Sequence, residues 1–272
     1  MPEPAIVTAP TATRLPPEAR GGVLVTGSHG GVYPGRLAVL AGVRAAIFHD
    51  AGMGLAQAGI GALALLERLG IAAAAVSHLS ARIGDTADML ARGAISATNG
   101  PAAASGVLPG MPCAEAAHLL RSAAWRDAMP PPAEEARSVD ASGARPLVLI
   151  DSAAMVDPAA DIGAVIVTGS HGGLVGGVPS MALRAEGFAA AFNDAGFGIE
   201  QAGIGRLAAL EARGIAALTV AAASARIGQA RSTLEDGIIS AVNPTAARLG
   251  AIVGQPAKAV LIAWTHISPR LT

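Results

Sequence analysis

The chain has 272 residues, of which 52% are hydrophobic, 14% charged and 3% aromatic, and its formal net charge is −1. Such apolar content with little charge excludes a disordered chain. Near-neutrality and only seven aromatics exclude both an electrostatic footprint for DNA and a stacking platform for single strands. A single cysteine builds no disulfide framework, so a reducing cytoplasm is the expected compartment.

The apolar bias raises the question of a membrane span. The longest uncharged stretch, Ile162 to Leu183, contains six glycines, a proline and a histidine, and reads as strand plus loop. The opening Met1-Pro2-Glu3-Pro4 lacks a basic segment followed by an apolar run, so no secretory leader is expected. Neither a nucleic acid nor a membrane is an expected partner.

In chain order, Gly22 to Thr26 and Ala45 to Phe48 are short apolar runs of the kind that form buried parallel strands. Gly59 to Leu69 carries apolar residues at helical spacing, Ile71 to Val76 is another strand, and Thr86 to Ala91 another helical piece. Asn99 before Gly100-Pro101 reads as a helix N-cap with proline in the first turn, as does Asn243 before Pro244.

Self-comparison shows that this order occurs twice. Thr26-Gly27-Ser28-His29-Gly30-Gly31 recurs as Thr168-Gly169-Ser170-His171-Gly172-Gly173, and Asp50-Ala51-Gly52 as Asp194-Ala195-Gly196. Gln57 to Gly61 recurs as Gln201 to Gly205, and Ser80-Ala81-Arg82-Ile83-Gly84 as Ser224-Ala225-Arg226-Ile227-Gly228. The offset is 142 at the first motif and 144 thereafter, which places a two-residue insertion in the second copy. The expected architecture is α/β: two tandem repeats of a mostly parallel αβα sandwich related by a pseudo-twofold axis. The repeats are assigned to residues 1–128 and 146–272, with a Pro-rich, polar linker over 129–145.

The repeated motifs share one topological address, the carboxyl ends of successive strands, where open parallel sheets form their ligand crevice. Gly-Ser-His-Gly-Gly after a strand turns tightly and presents backbone N–H groups to an anion, which assigns Gly30, Gly31, Gly172 and Gly173 to substrate binding. His29 and His171 are the expected proton-transfer groups, with Asp50 and Asp194 to orient them. Ser28 and Ser170 complete the catalytic set; a pair across the copies, such as Ser28 with His171, is the alternative to adjacent residues whose side chains diverge. Ser80 with Arg82, and Ser224 with Arg226, are expected to clamp a carboxylate. An internal ion pair of each arginine with Asp50 or Asp194 is the competing assignment.

Differences between the copies are also informative. The first has His49, His78 and Asp85 where the second has Asn193, Ala222 and Gln229. They point to one asymmetric or composite site, and they offer a metal alternative built from His29, His49, Asp50 and His78. No cofactor fingerprint is present: the sole lysine, Lys258, belongs to no phosphate-binding motif, and Gly52-x-Gly54 followed by Gly59 breaks dinucleotide spacing. A Ser-His-Gly strand end followed by a small-residue turn resembles the dyad layout of caspase-like peptidases. Gly52 and Gly196 stand where that family has its cysteine, and this removes the nucleophile.

The expectation is therefore a cofactor-independent hydrolase, lyase or isomerase acting on a small carboxylate- or amide-containing metabolite. A non-catalytic anion-binding or sensor protein is the alternative, with a metal-dependent hydrolase behind it. Homo-oligomer formation is left open.

Overall fold

The computed structural model describes residues 3–132 and 136–268 and shows an α/β chain with two mostly parallel sheets flanked by helices. The first sheet contains β1 (Ile6–Ala9), β2 (Val23–His29), β3 (Ala45–His49), β4 (Ala72–Val76) and β5 (Ile95–Thr98) in that spatial order; all pair in parallel except β5. Its helices are α1 (Val32–Leu40), α2 (Gly61–Arg68), α3 (Thr86–Arg92), α4 (Gly100–Ala104) and α5 (Cys113–Leu119).

The second sheet begins with β6 (Arg137–Asp140) and β7 (Leu147–Ile150), then β8 (Val165–His171), β9 (Ala189–Asn193), α6 (Gly205–Glu211) and β10 (Ala216–Val220). It closes with α7 (Ala230–Glu235), β11 (Ile239–Val242), α8 (Pro244–Arg248) and α9 (Ala257–Thr265). Its order is β11-β10-β9-β8-β7-β6, with antiparallel pairing only at the two edges.

Alternation along each strand builds two cores per sheet. Val23, Val25, Ile47 and Ala74 face Met89 of α3 and Ala116 of α5, whereas Leu24, Ala46, Phe48 and Ala73 face Val39 of α1 and Leu66 of α2. The second sheet repeats the division: Val165, Val167 and Leu218 meet Leu261 and Trp264 of α9, while Ile166, Phe192 and Ala217 meet Leu207 and Leu210 of α6. No described helix is long and apolar enough to cross a membrane.

Asn99 and Asn243 do more than cap. Each carboxamide oxygen accepts the N–H of the third residue of its own helix motif, Ala102 or Ala246, and also that of Ala73 or Ala217 in the neighbouring strand. They tie a helix start to a sheet.

Two stretches depart from the sequence expectation. The polar segment 129–145 contributes an edge strand: β6 is exposed throughout, yet Arg137 forks onto Asp161 at 2.6 and 3.2 Å and holds it against β7. Residues 133–135 of that segment lie outside the described residues. Second, α1 has no helical counterpart. Val32–Leu40 tolerates Pro34 in its first turn, but Gly176-Gly177-Val178-Pro179 breaks the corresponding segment into short 3₁₀ turns. Arg213 fixes that segment by donating to the Leu183 and Ala185 carbonyls.

The halves meet through the loops after β3 and β9. All eight described non-glycine residues with positive φ lie here: Ala51, Met53, Ala56 and Gln57, and their counterparts Ala195, Phe197, Glu200 and Gln201. Asp50 Oδ1 accepts from the Gly52 and His78 amides, and Asp194 Oδ1 from the Gly196 and Ala222 amides. The carbonyls of His78 and Ala222 then accept the Ile199 and Leu55 amides of the opposite half, each at 2.7 Å. Ala51, Ile83, Ala195 and Ile227 form a small apolar cluster at the seam.

Gly52 and Gly196 lie back to back at its centre, with φ of 71° and 73°. A Cβ on Gly52 would lie 2.9 Å from Gly196 Cα. Gly52→Ala should therefore cost about 2–5 kcal/mol, combining left-handed strain with overpacking. Chemical denaturation should show the loss, and a variant as stable as the wild type would contradict the tight seam.

Candidate functional site

His29 ends β2 and His171 ends β8, and the seam brings both to one cavity of about 840 Å³. That volume is in the range of small-molecule pockets. Ser28, Ser170, Gly31, Arg226 and Gly228 also line it, so expected site residues from both halves converge. Asp50, Asp194, Ser80, Ser224 and Arg82 do not line it. Nor do Gly30, Gly172 and Gly173, which are buried directly behind the histidine turns.

The residues outside the cavity have structural partners. The two aspartates brace the seam loops, and Asp50 also accepts a 3.0 Å hydrogen bond from His78 Nδ1. Burial would raise the Asp50 carboxyl, but His78 and the nearby His49 outweigh it and keep it below its usual value. Ser80 and Ser224 each donate to a carbonyl three residues back and accept an amide from the strand entry beyond, Ala94 or Ile238. Arg82 pairs with Asp88 at 3.1 Å and, across the seam, with Glu200 at 3.2 Å. The ion pairs considered from sequence, with Asp50 or Asp194, do not form: Arg82 pairs with other carboxylates, and Arg226 with none among the described residues.

His49 is not a cavity group either. Its Nε2 donates to the Ala81 carbonyl at 3.0 Å and its Nδ1 accepts the Ala51 amide at 3.1 Å. Asn193 makes the same two bonds with its amide, to Ala225 and from Ala195. The His/Asn difference between positions 49 and 193 therefore preserves the hydrogen-bond pattern. Among the described residues no three His, Cys, Asp or Glu side chains gather as a metal-holding group. Cys113 is buried, and burial pushes its thiol up to about 12, which disfavours the thiolate.

The cavity histidines are both buried but differ in their bonding. His29 Nδ1 accepts the Gly31 amide at 3.1 Å, so the neutral ring carries its proton on Nε2. His171 Nδ1 is buried and makes no well-formed hydrogen bond, although the Gly173 backbone is close enough to the ring to raise it slightly. Burial, reinforced by His49, lowers His29 to about 4. Burial lowers His171 well below its usual value, with further contributions from Arg206 and His29. Both rings are neutral at pH 7: in this tautomer His29 presents an N–H at Nε2, and a neutral His171 keeps one ring nitrogen as an acceptor. Ser28 and Ser170 Oγ each accept a backbone amide at 2.9 Å, from Ala12 and Ala153, leaving each hydroxyl hydrogen free to donate.

Several cavity residues fall outside the repeated motifs. Among the described residues, Arg14, Arg184 and Arg206 join Arg226 in the lining, against one acidic residue, Asp151. The Asp151 carboxylate accepts amides from Ala136 and Ala230. Arg206 is 4% exposed; it donates from Nε to Gly173 O at 3.0 Å and from its guanidinium to the Met181 and Ala182 carbonyls, and lies 5.1 Å from the Phe192 ring centroid. Burial brings it down to about 10, still protonated at neutral pH. The sequence signal for Arg206 is a lone arginine at the start of a helix where the first copy has Ala62.

No family model, curated protein or solved structure matches the chain.

A pH dependence follows from His29. The unfolded chain returns its imidazole to about 6.5, so as pH falls the unfolded state takes up a proton before the folded state does. The stability linked to neutral His29 is complete above pH 6.5 and is lost as pH falls towards 4. Asn at position 29 keeps an acceptor for Gly31 without titrating. His29→Asn should therefore lose about 2–3 kcal/mol less than the wild type between pH 7 and 4.5 in urea unfolding. Equal losses would contradict the buried neutral imidazole.

Proposed function

We propose that the protein is a small-molecule enzyme, a cofactor-independent hydrolase or proton-transfer enzyme acting on a carboxylate- or amide-containing metabolite. The observation that carries this reading is that His29 and His171, from different sheets, line one cavity whose charged lining, among the described residues, is four arginines and one aspartate. A neutral His171 accepts a proton from substrate or water, the His29 Nε2–H and the serine hydroxyls donate to a developing oxyanion, and arginines hold the substrate's anionic group. The repeated motifs, and the matching turns after β2 and β8, support reading the chain as a duplicated αβα unit about a pseudo-twofold axis, with the site on that axis.

A second reading, a non-catalytic anion-binding or sensor protein, is favoured by the bonding of Ser28 and Ser170. Both hydroxyl oxygens accept backbone amides, an arrangement suited to donating to a bound anion. The readings separate in one experiment. On a substrate found by screening carboxylate esters, amides and 2-substituted acids, His29→Asn with His171→Asn should lower kcat at least 100-fold with modest change in KM. Full activity in the double variant would overturn the proton-transfer assignment. Binding without turnover in the wild type would select the second reading.

A further inference from the structure

Corresponding arginines of the two halves have opposite fates. Arg82 is neutralised by Asp88 and by Glu200 from the other half. The positions that correspond to these carboxylates around Arg226 are Ser232 and Ala56. Ser232 Oγ accepts the Arg226 backbone amide and donates to Asp236, and Ala56 lines the cavity. Arg226, also in the lining, has no carboxylate partner among the described residues.

Arg206 is another cavity arginine without a carboxylate partner among the described residues. In the first half its position is Ala62, onto which Gly35 of α1 packs closely. In the second half the absence of that helix leaves room for a guanidinium, which carbonyls and the Phe192 ring hold in place. No carboxylate pairs with it among the described residues, although burying an unpaired cation is costly. The two arginines flank different histidines. Arg206 bonds the carbonyl of Gly173, two residues beyond His171; Arg226 lies two residues before Gly228, where a Cβ would sit 3.5 Å from His29 Cε1.

Building on the anionic-substrate reading, we infer that the cavity takes a dicarboxylate lying across the two histidines. One carboxylate is held by Arg206 beside His171 and the other by Arg226 beside His29. None of the four cavity arginines has a carboxylate ion pair among the described residues; Arg206 and Arg226 are the two that the backbone places beside the histidines, and this pair favours a doubly charged ligand over a singly charged one. The asymmetry also fixes a direction: Arg206 grips the buried end, and exposed Arg226 the end nearer solvent.

The test is calorimetric titration of the full chain with malonate, succinate, glutarate and adipate, each against the monocarboxylate of equal carbon number. At least one dicarboxylate should bind tenfold or more tightly than its matched monocarboxylate. Ala56→Glu restores towards Arg226 the carboxylate that Glu200 supplies to Arg82, at a backbone conformation glutamate already adopts in the second half (φ 53° against 56°). It should remove that advantage, as should Arg206→Met, while Arg248→Gln, a remote loss of one positive charge, should keep it. Unchanged thermal unfolding of Ala56→Glu shows that the loss is local. If the diacids bind no better than monoacids, the two-point inference fails while anion binding stands. Undiminished diacid affinity in Ala56→Glu overturns the role of Arg226, and absence of binding by any acid overturns both this inference and the anionic-substrate reading.

Discussion

The structure depends on a close approach of backbone to backbone. Gly52 and Gly196 meet with no side chain between them, and a Cβ on either would fall within about 3 Å of the other's Cα. The loops around them adopt left-handed conformations at four non-glycine positions each, a geometry L residues reach at a cost. Asp50 and Asp194 meet part of that cost by accepting amides, and two reciprocal backbone hydrogen bonds join the halves. Because both sheets reach the seam near the carboxyl ends of their parallel strands, the turns after β2 and β8 open onto one cavity.

Symmetry at the seam does not extend to the cavity's charge. Arg82 forms ion pairs with Asp88 and Glu200, whereas the equivalent pair of positions leaves Arg226 uncompensated. Replacing the α1 helix with short turns makes space for Arg206 in one half only. Pairing thus differs between matching positions, and the described lining of the cavity carries four arginines and one aspartate. His49 and Asn193 show the opposite case: different residues, the same hydrogen bonds.

Much of this was legible in the sequence, for identifiable reasons. Buried parallel strands require uninterrupted apolar runs, so β2, β3 and β4 stood out, and Asn99 and Asn243 carry their capping chemistry locally. The strand-end address of His29 and His171 followed from the alternation of strands and helices. What escaped was set by partners distant in sequence. Arg82 looks identical to Arg226 until Glu200 and Ala56 are brought across the seam. Asp50 and Asp194 look like orienting partners for the histidines until their amide partners are seen. Strand β6 is short, polar and exposed, and it is ordered by Asp161 rather than by any pattern of its own. Arg206 was visible only as a departure from Ala62.

The central claim is that the two halves form one site. The most direct measurement is an NMR titration of the ¹⁵N-histidine-labelled chain with the tightest-binding acid, following the ring nitrogens of His29 and His171. One site predicts that both rings shift along a single saturation curve with a stoichiometry of one per chain. Separate curves with different midpoints, or a response confined to one histidine, would contradict it.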